Sequence, residues 1–133
     1  MAKRPIRVAN CAGAACDAGY QMYRQCSGGP IDIVTGDFLA GKAPVNMRQY
    51  LLQRIPAYPV SLEANLAENA RSWQSGSHPG YEKNALDGLR LSLEVANERR
   101  IKIIVNGGAL NPRGLATVTA EMVRSFQNLL LCN

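Results

Sequence analysis

Asp37 stands just past the β-branched run Ile31-Asp32-Ile33-Val34-Thr35, in the turn Thr35-Gly36-Asp37. A carboxylate beyond a buried strand can act as a base, bind a hydroxyl or help hold a metal; it can equally cap the helix that follows. A second cluster, Asn106-Gly107-Gly108-Ala109-Leu110-Asn111-Pro112, brings two amides and two glycines to the start of a helix. Unpaired N–H groups at such a place can cradle an anion, although a tight turn with an Asn cap needs the same residues. The cluster lacks the Gly-Lys-Ser/Thr ending of a P-loop, and Cys11-Ala12-Gly13-Ala14-Ala15 is not a GxGxxG, so a dinucleotide site has little support. Cys11 is a nucleophile only if a base lies near it, and His78, the single imidazole, sits in a loop of Ser, Gly and Pro. The four cysteines, Cys11, Cys16, Cys26 and Cys132, form no CxxC pair and have no histidine at zinc-ligand spacing, so no metal site is expected.

These groups need elements to hold them. Arg7–Asn10 is a short apolar burst running into a small-residue turn, which reads as a first strand. A helix over 18–26 places Met22 and Cys26 on one face, and Ser27-Gly28-Gly29-Pro30 ends it. Ile31–Thr35 is a second strand and Glu63–Gln74 a helix. Tyr81–Arg100 carries Leu86, Leu89, Leu93 and Ala96 as one apolar stripe, with Arg99 and Arg100 where cations suit the helix dipole. Ile101–Val105 is a third strand, almost continuously apolar as when both sheet faces are covered, and Pro112 fits the first turn of a helix near 113–122. Strand, turn, helix, strand, turn, helix predicts an α/β fold: a three-layer, Rossmann-like parallel sheet flanked by helices. In such sheets the polar site lies at the carboxyl ends of the strands. The three turns there, Asn10 to Gly13, Gly36-Asp37, and Asn106-Gly107-Gly108 with Asn111, should therefore converge.

At 133 residues the chain fits one domain, and 47% hydrophobic content excludes wholesale disorder. Fifteen basic against ten acidic residues give +5, which invites a nucleic-acid or membrane-surface partner. No aromatic–basic stripe supports nucleic-acid binding, and no run reaches the roughly 20 apolar residues of a membrane span. Residues 6–15 are broken by Arg7, Asn10 and Gly13, unlike a secretory signal, so reduced thiols in a cytoplasmic protein are expected.

IRVANCAG, GGPIDIVTGDFLA, ANLAENA, HPGYEKNALDGL and IKIIVNGGALNPRGLA resemble the N-terminal domain of the acyclic terpene utilisation (AtuA-type) family over residues 5–40 and 64–120. The matching motif positions are Asn10, Gly13, Asp17, Gly36, Asp37, Glu63, Asn65, Glu68, Asn106, Gly107, Gly108, Asn111 and Pro112. The resemblance implies catabolism of branched isoprenoids of the citronellol and geraniol kind, at the stage of acyl derivatives, with no assigned reaction and no known cofactor. A small-molecule or acyl-CoA ligand follows from it. Asp37 and Glu63 become the candidate acid/base or hydroxyl-binding pair. Asn10, Gly13, Gly36, Asn106, Gly107, Gly108 and Asn111 become candidates for holding substrate or an anion. A non-catalytic binding or assembly module of the same pathway uses the same residues.

Two stretches depart from the family pattern. Gly41–Leu62 interrupts the passage from GDFLA to the ANLAEN helix, and Val123–Asn133 resembles nothing in the family. Gly41-Lys42 and Leu62-Glu63 can be encoded GGTAAG and CTAGAG, which supply an intron donor and acceptor, and Val123-Arg124 can be GTAAGA, another donor; a genuine loop insertion with polar, Pro-containing ends is the alternative. The domain then runs over 1–122 with an insertion at 41–62 and a tail at 123–133. The chain is expected to be an N-terminal piece, incomplete at its C-terminal side, whose partner is the rest of its own fold. Such a gene-model fragment would leave apolar sheet exposed and fold marginally. Without the two stretches 11 basic residues face 10 acidic ones, so the excess charge is not a functional signal.

Overall fold

The computed structural model describes residues 4–39 and 62–131; the side chains of 62–65, 68 and 127–131 lie outside that description. The insertion at 41–62 therefore falls, except for the Leu62 backbone, outside the described residues. Three strands, β1 (Val8–Asn10), β2 (Ile33–Gly36) and β3 (Lys102–Val105), form one parallel sheet in the order β1-β2-β3. Val8 pairs with Ile33 and Ile33 with Lys102, a register that continues to Asn10–Thr35 and Gly36–Val105. Among the described residues four helices accompany the sheet: α1 (Tyr20–Gly28), α2 (Leu62–Gln74), α3 (Lys83–Glu98) and α4 (Pro112–Leu131). This is an α/β fold with a parallel sheet flanked by helices, a partial Rossmann-like arrangement.

β2 starts two residues later than its β-branched run suggests. The cause is Asp32, whose carboxylate takes the Arg4 guanidinium at 2.6 and 2.8 Å and the Arg7 N–H at 2.8 Å. Arg4, then the Arg7 backbone, holds that carboxyl well below the usual carboxylate range. The clasp ties the incoming chain to the start of β2, at the end of the sheet opposite the candidate site.

α1 packs on β1, β2 and α3, and α3 packs on β3 and α4. Met22, Cys26, Val34, Phe38 and Ala85 are wholly buried between them. The buried face of α3 is Ala85, Gly88, Leu89, Ser92 and Ala96, with Leu86 only packed at its margin. This face is smaller in side-chain volume than the leucine stripe because α1 comes close. A Cβ on Gly19 would sit 2.4 Å from both the Asn84 carbonyl oxygen and the Gly88 nitrogen, so only glycine permits the crossing.

Arg99 also serves α1 rather than its own helix. Its Nη1 donates to the carbonyls of Cys26 (3.2 Å) and Ser27 (2.9 Å), closing the C-terminal turn of α1. α3 ends in a Schellman turn, with Ile101 N–H bonded to Ala96 O at 2.8 Å and Arg100 N–H to Asn97 O at 3.2 Å. Arg100 occupies the left-handed position at φ 56°, where glycine is usual. α4 runs without a break from Pro112 to Leu131, past position 122 where the sequence pattern placed its end.

In a parallel ladder paired residues point to one side, so Val8, Ile33 and Lys102 share a face with Asn10, Thr35 and Ile104. On this side Val8 is 59% exposed and Ile104 58%. The apolar character of β3 is therefore buried on one face only among the described residues.

Candidate functional site

The polar turns at the carboxyl ends of the strands converge. The first two are joined through backbone: Cys11 N–H bonds Thr35 O at 2.7 Å, and Asp37 N–H bonds Ala12 O at 2.9 Å. The second and third are joined by Asn106. Its Nδ2 donates to Asp37 Oδ1 at 2.7 Å, and its Oδ1 accepts the Phe38 N–H at 2.8 Å. One amide thus orients the Asp37 carboxylate and closes the backbone beyond it. Asp37 Oδ1 also accepts the Leu39 N–H at 3.0 Å, while the residue as a whole remains exposed. The Phe38 ring fills the core beneath, and a Cβ on Gly36 would lie 2.8 Å from both Phe38 Cε2 and Cys11 Sγ. Gly36 is there because the turn and the core meet at that point.

The third turn rests on α3. Gly107 is buried, and a Cβ on it would come within 2.2 Å of Ala85 Cβ; one on Gly108 would lie 2.7 Å from Pro112 Cα. Both glycines allow close backbone packing. Gly107 O accepts the Glu82 N–H at 2.8 Å, which anchors the start of α3 to the site. Glu82 itself is 8% exposed, and its Oε1 accepts from Nδ2 of Asn69, also buried, at 3.2 Å. The backbone of Glu82 thus meets the third turn at Gly107, and reasoning from sequence missed both members of the Glu82–Asn69 pair. The available signal was a Glu placed immediately before an apolar helical stripe.

The remaining candidates occupy other places. Asn10 lies on the exposed face of the sheet, where its Oδ1 meets Thr35 Oγ1 at 3.5 Å. Gly13 N–H, with Ala14 N–H, binds Asp17 Oδ2 at 2.7 and 3.1 Å. Asn111 caps α4: its Oδ1 accepts the Gly114 N–H at 2.9 Å, and its Nδ2 donates to Pro79 O at 2.9 Å. Glu63 falls in the first turn of α2, and its side chain lies outside the described residues. His78 Nδ1 accepts the Gly80 N–H at 3.1 Å, which places the proton of the neutral ring on Nε2.

A cleft of about 310 Å³ opens beside the β1 turn, lined by Asn10, Cys11, Ala12, Gly13, Asp17, Gln21 and Gln25. Burial, with Cys26 nearby, pushes the Cys11 thiol up to about 11, so Cys11 is a protonated wall and not a nucleophile near neutrality. Among the described residues no group of His, Cys, Asp and Glu could hold a metal ion, and no helix is long and apolar enough to cross a membrane.

The fold and the site together define a parallel α/β domain with an amide-oriented carboxylate at the carboxyl ends of its strands. Residues 6–130 match the model of the acyclic terpene utilisation family protein AtuA, and the chain belongs to that family. No curated protein and no solved structure matches it.

Proposed function

We propose that this domain takes part in the catabolism of branched acyclic terpenoids of the citronellol and geraniol type and holds the polar end of the ligand at Asp37. The observation that carries this reading is the Asp37–Asn106 hydrogen bond of 2.7 Å at the convergence of the strand-end turns, in a chain of the acyclic terpene utilisation family. A carboxylate oriented by an amide can accept a proton or a hydrogen bond from a ligand without first reorganising. The ligand is an isoprenoid derivative at the acyl stage, and the domain forms part of a catabolic enzyme. The free thiols Cys11, Cys16 and Cys26 support a cytoplasmic setting.

The experiment is Asp37→Asn in the gene as its host carries it. Loss of growth on citronellol, with growth on acetate retained, is the expected result. Unchanged growth on citronellol removes Asp37 from the function.

The exposed apolar side chains Val8 and Ile104 favour a second reading, in which the domain is a non-catalytic assembly module seated against other enzymes of the pathway. Val8→Lys separates the two. It abolishes complex formation and spares ligand binding if that face is the working surface.

A further inference from the structure

The geometry points to a second subsite beside the β1 turn, where Gln21 and Gln25 bind the two amides of a pantetheine-type arm. The acyl derivative then arrives as a thioester on that carrier. The inference rests on the reading of the strand-end turns as a terpenoid site at the acyl stage, and adds what the acyl group is attached to. The cleft of about 310 Å³ lies at the lower end of the range for small-molecule sites, room for a segment of a larger ligand. Its polar lining is Asn10, Asp17, Gln21 and Gln25, three neutral amides and one carboxylate. Asp17 Oδ2 takes the Gly13 and Ala14 N–H groups at 2.7 and 3.1 Å, so the turn bordering the cleft is fixed before a ligand arrives. Gln21 and Gln25 are half-buried. Among the described residues the Gln25 amide has no hydrogen-bond partner, and Gln21 meets only Arg24 Nη1, at 3.4 Å. A primary amide donates and accepts in one plane, which matches the C=O and N–H of a secondary amide.

The spacing selects the ligand. Gln21 and Gln25 lie one turn apart on the same face of α1, roughly 6 Å along the helix. An extended α-peptide turns successive amides to opposite sides at steps of roughly 3.5 Å, so a single helix face meets one of each adjacent pair. A β-alanine unit has one more chain carbon, which turns both of its flanking amides to the same side at roughly 5 Å. The arm of pantetheine is built on that unit. Because β1 and β2 are parallel, α1 runs back from the carboxyl ends of the strands, and Gln21 lies nearer the turns than Gln25. Cys11 and Ala12, which line the cleft, also bond the end of β2. Cys11 N–H donates to Thr35 O at 2.7 Å, and Ala12 O accepts the Asp37 N–H at 2.9 Å. A thioester lying across Ala12 therefore places its acyl group at Asp37 and its arm along Gln21 and then Gln25.

The test titrates the 133-residue chain with S-methylpantetheine, which cannot exchange with the free cysteines, and follows backbone and Gln side-chain amide signals. The signals of Gly13, Gln21 and Gln25 should shift along one binding curve. Gln21→Leu and Gln25→Leu should each weaken binding about fivefold or more, the worth of one hydrogen bond. The analogue with glycine in place of β-alanine should bind the unaltered chain about fivefold more weakly or worse. Equal binding of that analogue, or unchanged affinity in either folded variant, overturns the inference. Coenzyme A and a carrier protein bearing the same arm are titrated in parallel. Whichever shifts Gln21 and Gln25 is the source of the arm, and failure of both overturns the inference. If S-methylpantetheine leaves the chain unshifted while citronellate moves the amides of Asp37 and Phe38, the inference fails and the terpenoid reading stands. Pantetheine bound in the cleft with citronellate inert upholds the subsite and removes the terpenoid reading.

Discussion

Asn106 is the joint between two strand ends, and replacing it tests whether that joint holds the site together. Asn106→Ala removes the 2.8 Å acceptor of the Phe38 N–H and the 2.7 Å donor to Asp37. Phe38 is wholly buried, so its amide has no ready substitute; an unmet buried donor costs about 1–3 kcal/mol. The bond to Asp37 is exposed to solvent and adds about 0.5–1 kcal/mol. The expected loss is therefore about 1.5–4 kcal/mol. With a urea m-value of about 2 kcal/mol/M, the middle of the range for a small domain, the midpoint falls by about 0.75–2 M. Asn106→Asp refines the test because it keeps the acceptor and sets a second carboxylate against Asp37. Mutual repulsion raises the folded pKa of the pair above the unfolded value of about 3.9. Stability contributed by the shared proton is then present at low pH and lost as pH rises through the raised value. Asn106→Asp should approach the parent at pH 4 and fall below it at pH 7. A loss under about 0.5 kcal/mol for Asn106→Ala, or a flat pH response for Asn106→Asp, would refute the reasoning.

Other substitutions report on the frame. Arg100→Gly relieves the left-handed backbone at φ 56° and should stabilise the chain by about 1 kcal/mol in urea unfolding. Ser92→Ala removes a buried hydroxyl without a partner among the described residues and should be neutral or stabilising by about 1 kcal/mol, read as a rise in Tm. Asp32→Asn cuts the clasp to Arg4 and Arg7. Because the folded carboxyl is held below its unfolded value of about 3.9, its contribution is full above that pH and lost as pH falls. The gap between parent and Asp32→Asn in acid titrations should therefore be widest at neutral pH and close toward pH 2.

The parallel order of elements was legible in the sequence because three short β-branched or apolar runs each end in glycine or asparagine. Convergence of the turns followed from the geometry of parallel sheets alone. Asp37 and Asn106 stood out because each immediately follows a strand, yet their bond joins positions 37 and 106 and no local pattern carries it. The same distance hid Asn69 and Glu82, whose pairing depends on how α2 meets the start of α3. The face of α3 was misread toward Leu86 and Leu93 because hydrophobicity marks large residues. Close approach at Gly19 and Gly88 selects small ones instead. The glycines of the third turn looked like an anion cradle, and Ala85 and Pro112 show the packing they permit.

The most direct measurement of ligand placement is a two-dimensional amide titration of the 133-residue chain with citronellate, a terpenoid at the acyl level. The amides of Asp37, Phe38, Leu39 and Asn106 should shift together along one binding curve, with those of Arg7 and Asp32 at the opposite end unmoved. Shifts confined to the Val8 and Ile104 face, or to the Arg4–Asp32 clasp, would contradict a terpenoid site at the carboxyl ends of the strands.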